Sequence, residues 1–160
     1  MKYHIICNWK TYLPFDEVVT FSLHKSDLEL LTKEKSVTLV LCPSQESLSF
    51  VKSAFVDSDI LVGAQNCSEF APGAHTGQVS ALSLAQMKVD MCIIGHSEQR
   101  VECGEITVQI QAKLQQLYAQ TVYTISPIIC IGENLQEYQN NQTKKIIEIQ
   151  LVPLLEFVMQ

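Results

Sequence analysis

Met91-Cys92-Ile93-Ile94 runs directly into Gly95-His96-Ser97-Glu98, and the fold reading starts from that junction. Four consecutive apolar residues without alternation describe a strand covered on both faces, as in a parallel sheet. Beyond the glycine, the spacing predicts a helix over about Thr107 to Ala119, with Thr107 as N-cap and Ile110, Leu114 and Leu117 as its buried stripe. The same unit recurs along the chain. Apolar runs at Tyr3–Cys7, Val37–Cys42, Ile60–Ala64 and Ser126–Ile131 alternate with predicted helices at about Phe15–Leu31, Gln45–Ser53, Leu82–Met87 and Thr143–Val158. In the first helix Val18, Val19, Phe21, Leu28 and Leu31 fall roughly on one face; in the last, Pro153 is expected to bend or interrupt the helix. No Asn-Gly or Asp-Gly hairpin signal separates the runs, so right-handed βαβ crossovers and a parallel α/β sheet follow. About five βα units are expected, forming one domain over residues 1–160.

The length of 160 residues sets a bound, because a complete eight-stranded β/α barrel needs about 250. With 17 acidic residues against 11 Lys and Arg, the net charge is −6, the wrong sign for holding a phosphate backbone, so nucleic acid is not an expected partner. The most apolar stretch, 146–160, is interrupted by Glu148, Gln150, Pro153 and Glu156, and the run Ile5-Ile6-Cys7 is cut off by Asn8 and Lys10. Neither a membrane span nor a signal peptide is read there, and a cytoplasmic location is expected. The six cysteines (7, 42, 67, 92, 103 and 130) include no C-x-x-C pair and read as reduced core thiols rather than metal ligands.

In α/β folds the chemistry collects where parallel strands end and helices begin. Here those ends carry Asn8-Trp9-Lys10, Gln65-Asn66, Gly95-His96-Ser97-Glu98 and Gly132-Glu133. No Walker A loop, dinucleotide fingerprint, zinc-protease helix or nucleophile elbow occurs. A lysine, an asparagine and a histidine on one rim suit a small anionic molecule bearing a carbonyl. Each has a bland alternative: a lone lysine is usually solvated and a lone histidine usually structural. Their position directly after buried strands argues for function. His4, His24 and His75 lack that context and are assigned no chemistry, and Trp9 reads as an anchor.

At these residues the chain resembles the N-terminal part of the triosephosphate isomerase family. The resemblance is carried by Asn8-Trp9-Lys10, Gly63-Ala64-Gln65-Asn66, Gly73-Ala74-His75-Thr76-Gly77, Ile93-Ile94-Gly95-His96-Ser97-Glu98, Gly104-Glu105 and Cys130-Ile131-Gly132-Glu133, in order and spacing. It implies an incomplete (β/α)8 barrel. The implied activity interconverts dihydroxyacetone phosphate and glyceraldehyde 3-phosphate, a step of glycolysis and gluconeogenesis, through an enediolate and without a cofactor or metal. Lys10 would face the substrate's negative charge, Asn8 would help hold loop and substrate, and His96 would polarise the carbonyl as a neutral imidazole. Ser97, Glu98 and Cys130 would stand behind them, and Glu133 would serve loop orientation.

The segment Glu69–Val79 resembles the loop by which subunits of this family engage each other, with Thr76 at its tip, so a homodimer is implied. Two positions depart from the family pattern. Gln78 stands where glutamate is usual and Gln99 where arginine is usual; losing both charges is milder than losing one. The family's catalytic glutamate follows the sixth strand, about 35 residues past the Cys-Ile-Gly-Glu motif, one further βα unit on. From Glu133 that position falls beyond Gln160. Glu137, Glu148 and Glu156 are the only late carboxylates and have no evident route to the substrate. The expectation is therefore an isomerase piece, poor alone and completed by a C-terminal chain. The alternatives are a truncated, non-catalytic remnant acting as an interaction surface, and a binding module that keeps Lys10, Asn8 and His96 without doing chemistry.

Overall fold

The computed structural model describes residues 3–33 and 37–158. Strands β1 (Tyr3–Asn8), β2 (Val37–Cys42), β3 (Leu61–Ala64), β4 (Met91–Ile94) and β5 (Ser126–Ile129) form one sheet in sequential order. Every neighbouring pair is parallel. Sequential parallel order puts every crossover on the same side, so the helices cover one face and the sheet curls into the five-stranded half-barrel that the sequence led us to expect.

Register explains why the strands are apolar without alternation. Val40 lies opposite Ile6 and Leu61, and Ile93 opposite Ile128. Val40, Leu61, Ile93 and Ile128, with Cys42, Met91 and Cys130, form a small cluster on the concave face. The intervening residues Leu39, Leu41, Val62, Ala64, Cys92 and Ile94 join Val18, Leu48, Val51, Phe55, Leu84, Ile110, Leu114, Leu117 and Leu154 in the main core beneath the helices. Concave packing is tight at Gly63, where an added Cβ would fall 2.7 Å from Cys42 Sγ. Burial pushes the Cys42 thiol up to about 12.

The helices are α1 (Phe15–Ser22), α2 (Lys25–Lys33), α3 (Leu48–Ala54, after a 3₁₀ turn at Gln45–Ser47), α4 (Ala81–Gln86), α5 (Ser97–Glu102), α6 (Thr107–Tyr118), α7 (Leu135–Gln139) and α8 (Thr143–Val158). The single helix expected over 15–31 is two. Thr20 and Ser22 hydroxyls bond back to the Asp16 and Val18 carbonyls, and Leu23 and His24 amides reach only three residues back, which ends the first segment. The break shifts the helical phase, so Leu31, expected inside, is 63% exposed. Ile106 rather than Thr107 is the N-cap of α6; its amide donates to Gln109 Oε1 at 3.0 Å. Pro153 does not interrupt α8, whose Leu154 is buried and whose Pro153 carbonyl accepts from Gln111 Nε2 of α6 at 2.9 Å.

Among the described residues β1 pairs only with β2 and β5 only with β4. Tyr3, Ile5 and Ile6 of β1 are exposed. At the amino ends of the strands Asp90 ties elements together: Oδ2 accepts from Lys52 Nζ at 2.7 Å and the Val62 amide at 2.8 Å, while Oδ1 accepts from the Tyr123 hydroxyl at 2.7 Å. The cysteines expected in the core divide: Cys42, Cys67 and Cys92 are buried, Cys7 and Cys130 are intermediate, and Cys103 is exposed. No described helix is long and apolar enough to cross a membrane.

Candidate active site

The carboxyl ends of β1 and β4 build one corner together. At the end of β1, Asn8 Oδ1 accepts from the Lys10 amide at 3.0 Å, a local turn that holds Lys10 at φ +51°. A left-handed lysine costs of order 1–3 kcal/mol and persists only where neighbours over-determine it. Gln65 Nε2 supplies that restraint, donating to the Lys10 carbonyl at 2.8 Å and to the Cys42 carbonyl at 3.0 Å. The Trp9 amide also donates to the Cys42 carbonyl at 3.0 Å, and its ring packs edge-on against Phe21 at 4.9 Å. Trp9 is thus the anchor that leaves Lys10 on the rim.

At the end of β4, Gly95 turns with φ +69° and His96 becomes the N-cap of α5. His96 Nδ1 lies 3.3 Å from the Glu98 amide nitrogen and 3.4 Å from Glu98 Oε2. A backbone N–H can only donate, so in this bond Nδ1 is the acceptor and the ring hydrogen of a neutral imidazole sits on Nε2. Lys10 Nζ lies 2.7 Å from Glu98 Oε1. Glu98 thus meets the ammonium with its carboxylate and the imidazole with its backbone amide, and the three groups share one rim. The hydrogen bond from Lys10 holds the Glu98 carboxyl below the usual carboxylate range, and the same bond raises the Lys10 ammonium.

Ser97 opens α5 and is exposed. Cys130 joins the concave cluster through its side chain, and its amide donates to the Ile94 carbonyl at 3.0 Å. With His96, Ser97 and Glu133 it lines a cavity of about 320 Å³. Glu133 Oε1 accepts from Thr143 Oγ1 at 2.9 Å, which ties its loop to the start of α8. Thr76 lies exposed in the 69–79 loop, and no described hydrogen bond links it to Lys10 or His96.

Behind the rim is polar machinery that the motifs did not announce. Lys113 of α6 bonds Glu105, with both side chains buried, and also donates to Asn66 Oδ1 at 2.8 Å. Asn66 Nδ2 donates to Gln99 Oε1 at 3.1 Å, and Gln78 Oε1 accepts from the Ser68 hydroxyl at 2.6 Å. Gln78 and Gln99 line the same cavity of about 390 Å³, each bonded to a neutral partner. Lys113 lies at helical spacing with Ile110, Leu114 and Leu117, so a charge on a buried stripe was the signal for this pair.

Two features now coincide: sequential parallel strands with a lysine, an asparagine and a histidine on their carboxyl rim, and a match of the triosephosphate isomerase family model to residues 3–160. The chain belongs to the triosephosphate isomerase family. The triosephosphate isomerase of Clostridium perfringens is 34% identical over 149 residues, which take in 93% of this chain and 58% of that protein. That of Clostridium beijerinckii is 35% identical over 144 residues, or 90% of this chain and 56% of the relative. That of Mesomycoplasma hyorhinis is 33% identical over 151 residues, with 92% and 60% covered. The chain thus spans less than two thirds of the length of these members of the family.

The late carboxylates have other partners. Glu137 accepts from the Asn134 amide at 2.8 Å in the cap of α7, and exposed Glu148 lies 3.7 Å from Lys144. The side chain of Glu156 lies outside the described residues.

Proposed function

We propose that this chain supplies the charge-binding and electrophilic half of a triosephosphate isomerase site, and that the proton-abstracting carboxylate comes from outside residues 1–160. The observation that carries the reading is that Lys10 and His96 both engage Glu98 on one rim, Lys10 through its carboxylate and His96 Nδ1 through its amide. The Nε2–H of a neutral His96 donates to the carbonyl oxygen of a triose phosphate, and Lys10 faces the negative charge. When a base removes a proton from the carbon next to that carbonyl, the electron pair moves onto oxygen, and both donors bind the enediolate more strongly than the ketone. A proton then passes from the neighbouring hydroxyl to that oxygen, and return of the abstracted proton to the former carbonyl carbon completes the isomerisation. Asn8 acts through the turn that fixes Lys10. No cofactor takes part. The exposed Thr76 loop is proposed as a subunit contact in a homodimer, working in the cytoplasm on the triose phosphates of glycolysis and gluconeogenesis.

The test is an isomerase assay on glyceraldehyde 3-phosphate with the chain alone and with a co-expressed segment supplying three further βα units and the missing glutamate. A general base contributes about 10²- to 10⁴-fold, so a large rise on complementation is expected, to be abolished by Lys10→Met or His96→Asn. Family-level rates from the chain alone would refute the account of the base. Complemented activity indifferent to Lys10→Met would refute the role of the ammonium.

A further inference from the structure

Arg100 grips the residue before His96 and His96 itself. Its Nε donates to the Gly95 carbonyl at 2.8 Å and its Nη2 to the Cys130 carbonyl at 3.1 Å. The Gly95 carbonyl belongs to the peptide that joins Gly95 to His96, so the guanidinium sets the plane from which the imidazole projects. On the other side, the Arg100 amide donates to the His96 carbonyl at 3.1 Å. The guanidinium also spans a seam. The last described backbone bond between the ends of β4 and β5 runs from the Cys130 amide to the Ile94 carbonyl, and beyond it one planar donor serves a carbonyl from each strand.

Space for this strap exists because residue 95 lacks a side chain. A Cβ there would fall 2.9 Å from Arg100 Nη2 and 3.2 Å from the Cys130 carbonyl, at a backbone φ of +69°. Among the described residues no carboxylate is within salt-bridge distance of the guanidinium. A half-buried cation spent on two main-chain carbonyls beside the proposed electrophile has a geometric use.

We propose that Arg100 is a positioning residue for His96: by locking the Gly95–His96 peptide across the β4–β5 seam, it holds the ring with Nδ1 on the Glu98 amide and Nε2–H toward the rim. The inference rests on the reading of His96 as electrophile, yet its test needs no substrate, so loss of the isomerase assignment and loss of this one are separable. The experiment is ¹⁵N NMR of the imidazole nitrogens in the full chain, with His96 assigned from the His96→Asn variant. The native protein is expected to show one tautomer at His96, with Nδ1 bare and Nε2 protonated. In Arg100→Met the two nitrogen shifts should converge as tautomers mix, while His4, His24 and His75 stay unchanged. Arg100→Lys, able to reach one carbonyl of the two, should converge partly. A folded Arg100→Met with the native His96 pattern overturns the proposal, whatever its loss of melting temperature. If Arg100→Met does not fold, the lysine variant decides alone: partial convergence supports the proposal and an unchanged pattern overturns it.

Discussion

Lys113 projects from the buried stripe of α6, and its charge is tolerable because Glu105 and Asn66 meet it there. Removing one partner of such a pair is worse than removing both, since the survivor stays buried and uncompensated. Lys113→Met should cost about 3–5 kcal/mol in urea denaturation, and Lys113→Met with Glu105→Gln should cost clearly less. A single-variant loss near zero would show that Glu105 finds water instead. Tyr123 makes a second prediction. The hydrogen bond it donates to Asp90 raises its hydroxyl to about 12, so the folded state holds that proton more tightly than the unfolded chain does. The resulting stability is complete below about pH 10 and is lost as pH rises from about 10 to 12. Denaturation midpoints of the native protein should fall across that window, and Tyr123→Phe should flatten the fall. At this scale Asn8, Lys10 and His96 were legible in the sequence because each sits next to a run of apolar residues whose end can be located. Gln65, Arg100, Lys113 and Glu105 were assigned no role: Gln65 bonds carbonyls 55 and 23 residues away, Arg100 carbonyls 5 and 30 away, and Lys113 the Asn66 side-chain amide 47 and the Glu105 carboxylate 8 away, spacings that no helical or strand periodicity marks.

Elements were most legible where burial alone sets the pattern. The strands came within two residues of their observed ends because each is a largely apolar run ended by polar residues or glycine, and in β2, β3 and β4 both faces are largely covered. The helix at 15–31 was misjudged because hydroxyl-to-carbonyl bonds inside α1 compete with the helical ladder, a local contest that apolar spacing does not register. Packing between elements gives a sharper test. Gly63 of β3 faces Cys42 of β2, where a methyl group would press on sulfur at 2.7 Å. Gly63→Ala should lose about 1–3 kcal/mol by overpacking. In Cys42→Ala, which removes the sulfur, the same substitution should cost distinctly less, giving a coupling energy in a double-mutant cycle. Additive losses would place the strain elsewhere.

Across the whole molecule, order should follow pairing. Strands β2, β3 and β4 have a partner on each side, whereas β1 and β5 have one among the described residues. Native-state hydrogen exchange should therefore show the slowest amides in β2 to β4 and faster exchange in β1, whose Tyr3, Ile5 and Ile6 are open to solvent. Equal protection in β1 would mean that another chain or segment covers that edge in solution. By itself the sequence determined the parallel α/β architecture, the five-unit count and the residues at the strand ends, because these depend on local apolar spacing and on breaks in it. Only the tertiary structure decided that Glu98 joins Lys10, through its carboxylate, to His96, through its amide, and that Arg100 braces the histidine's peptide. The contact of Lys10, after β1, with Glu98, in the helix after β4, is set by the curl of the sheet, which brings distant loops within reach and leaves no periodic trace along the chain.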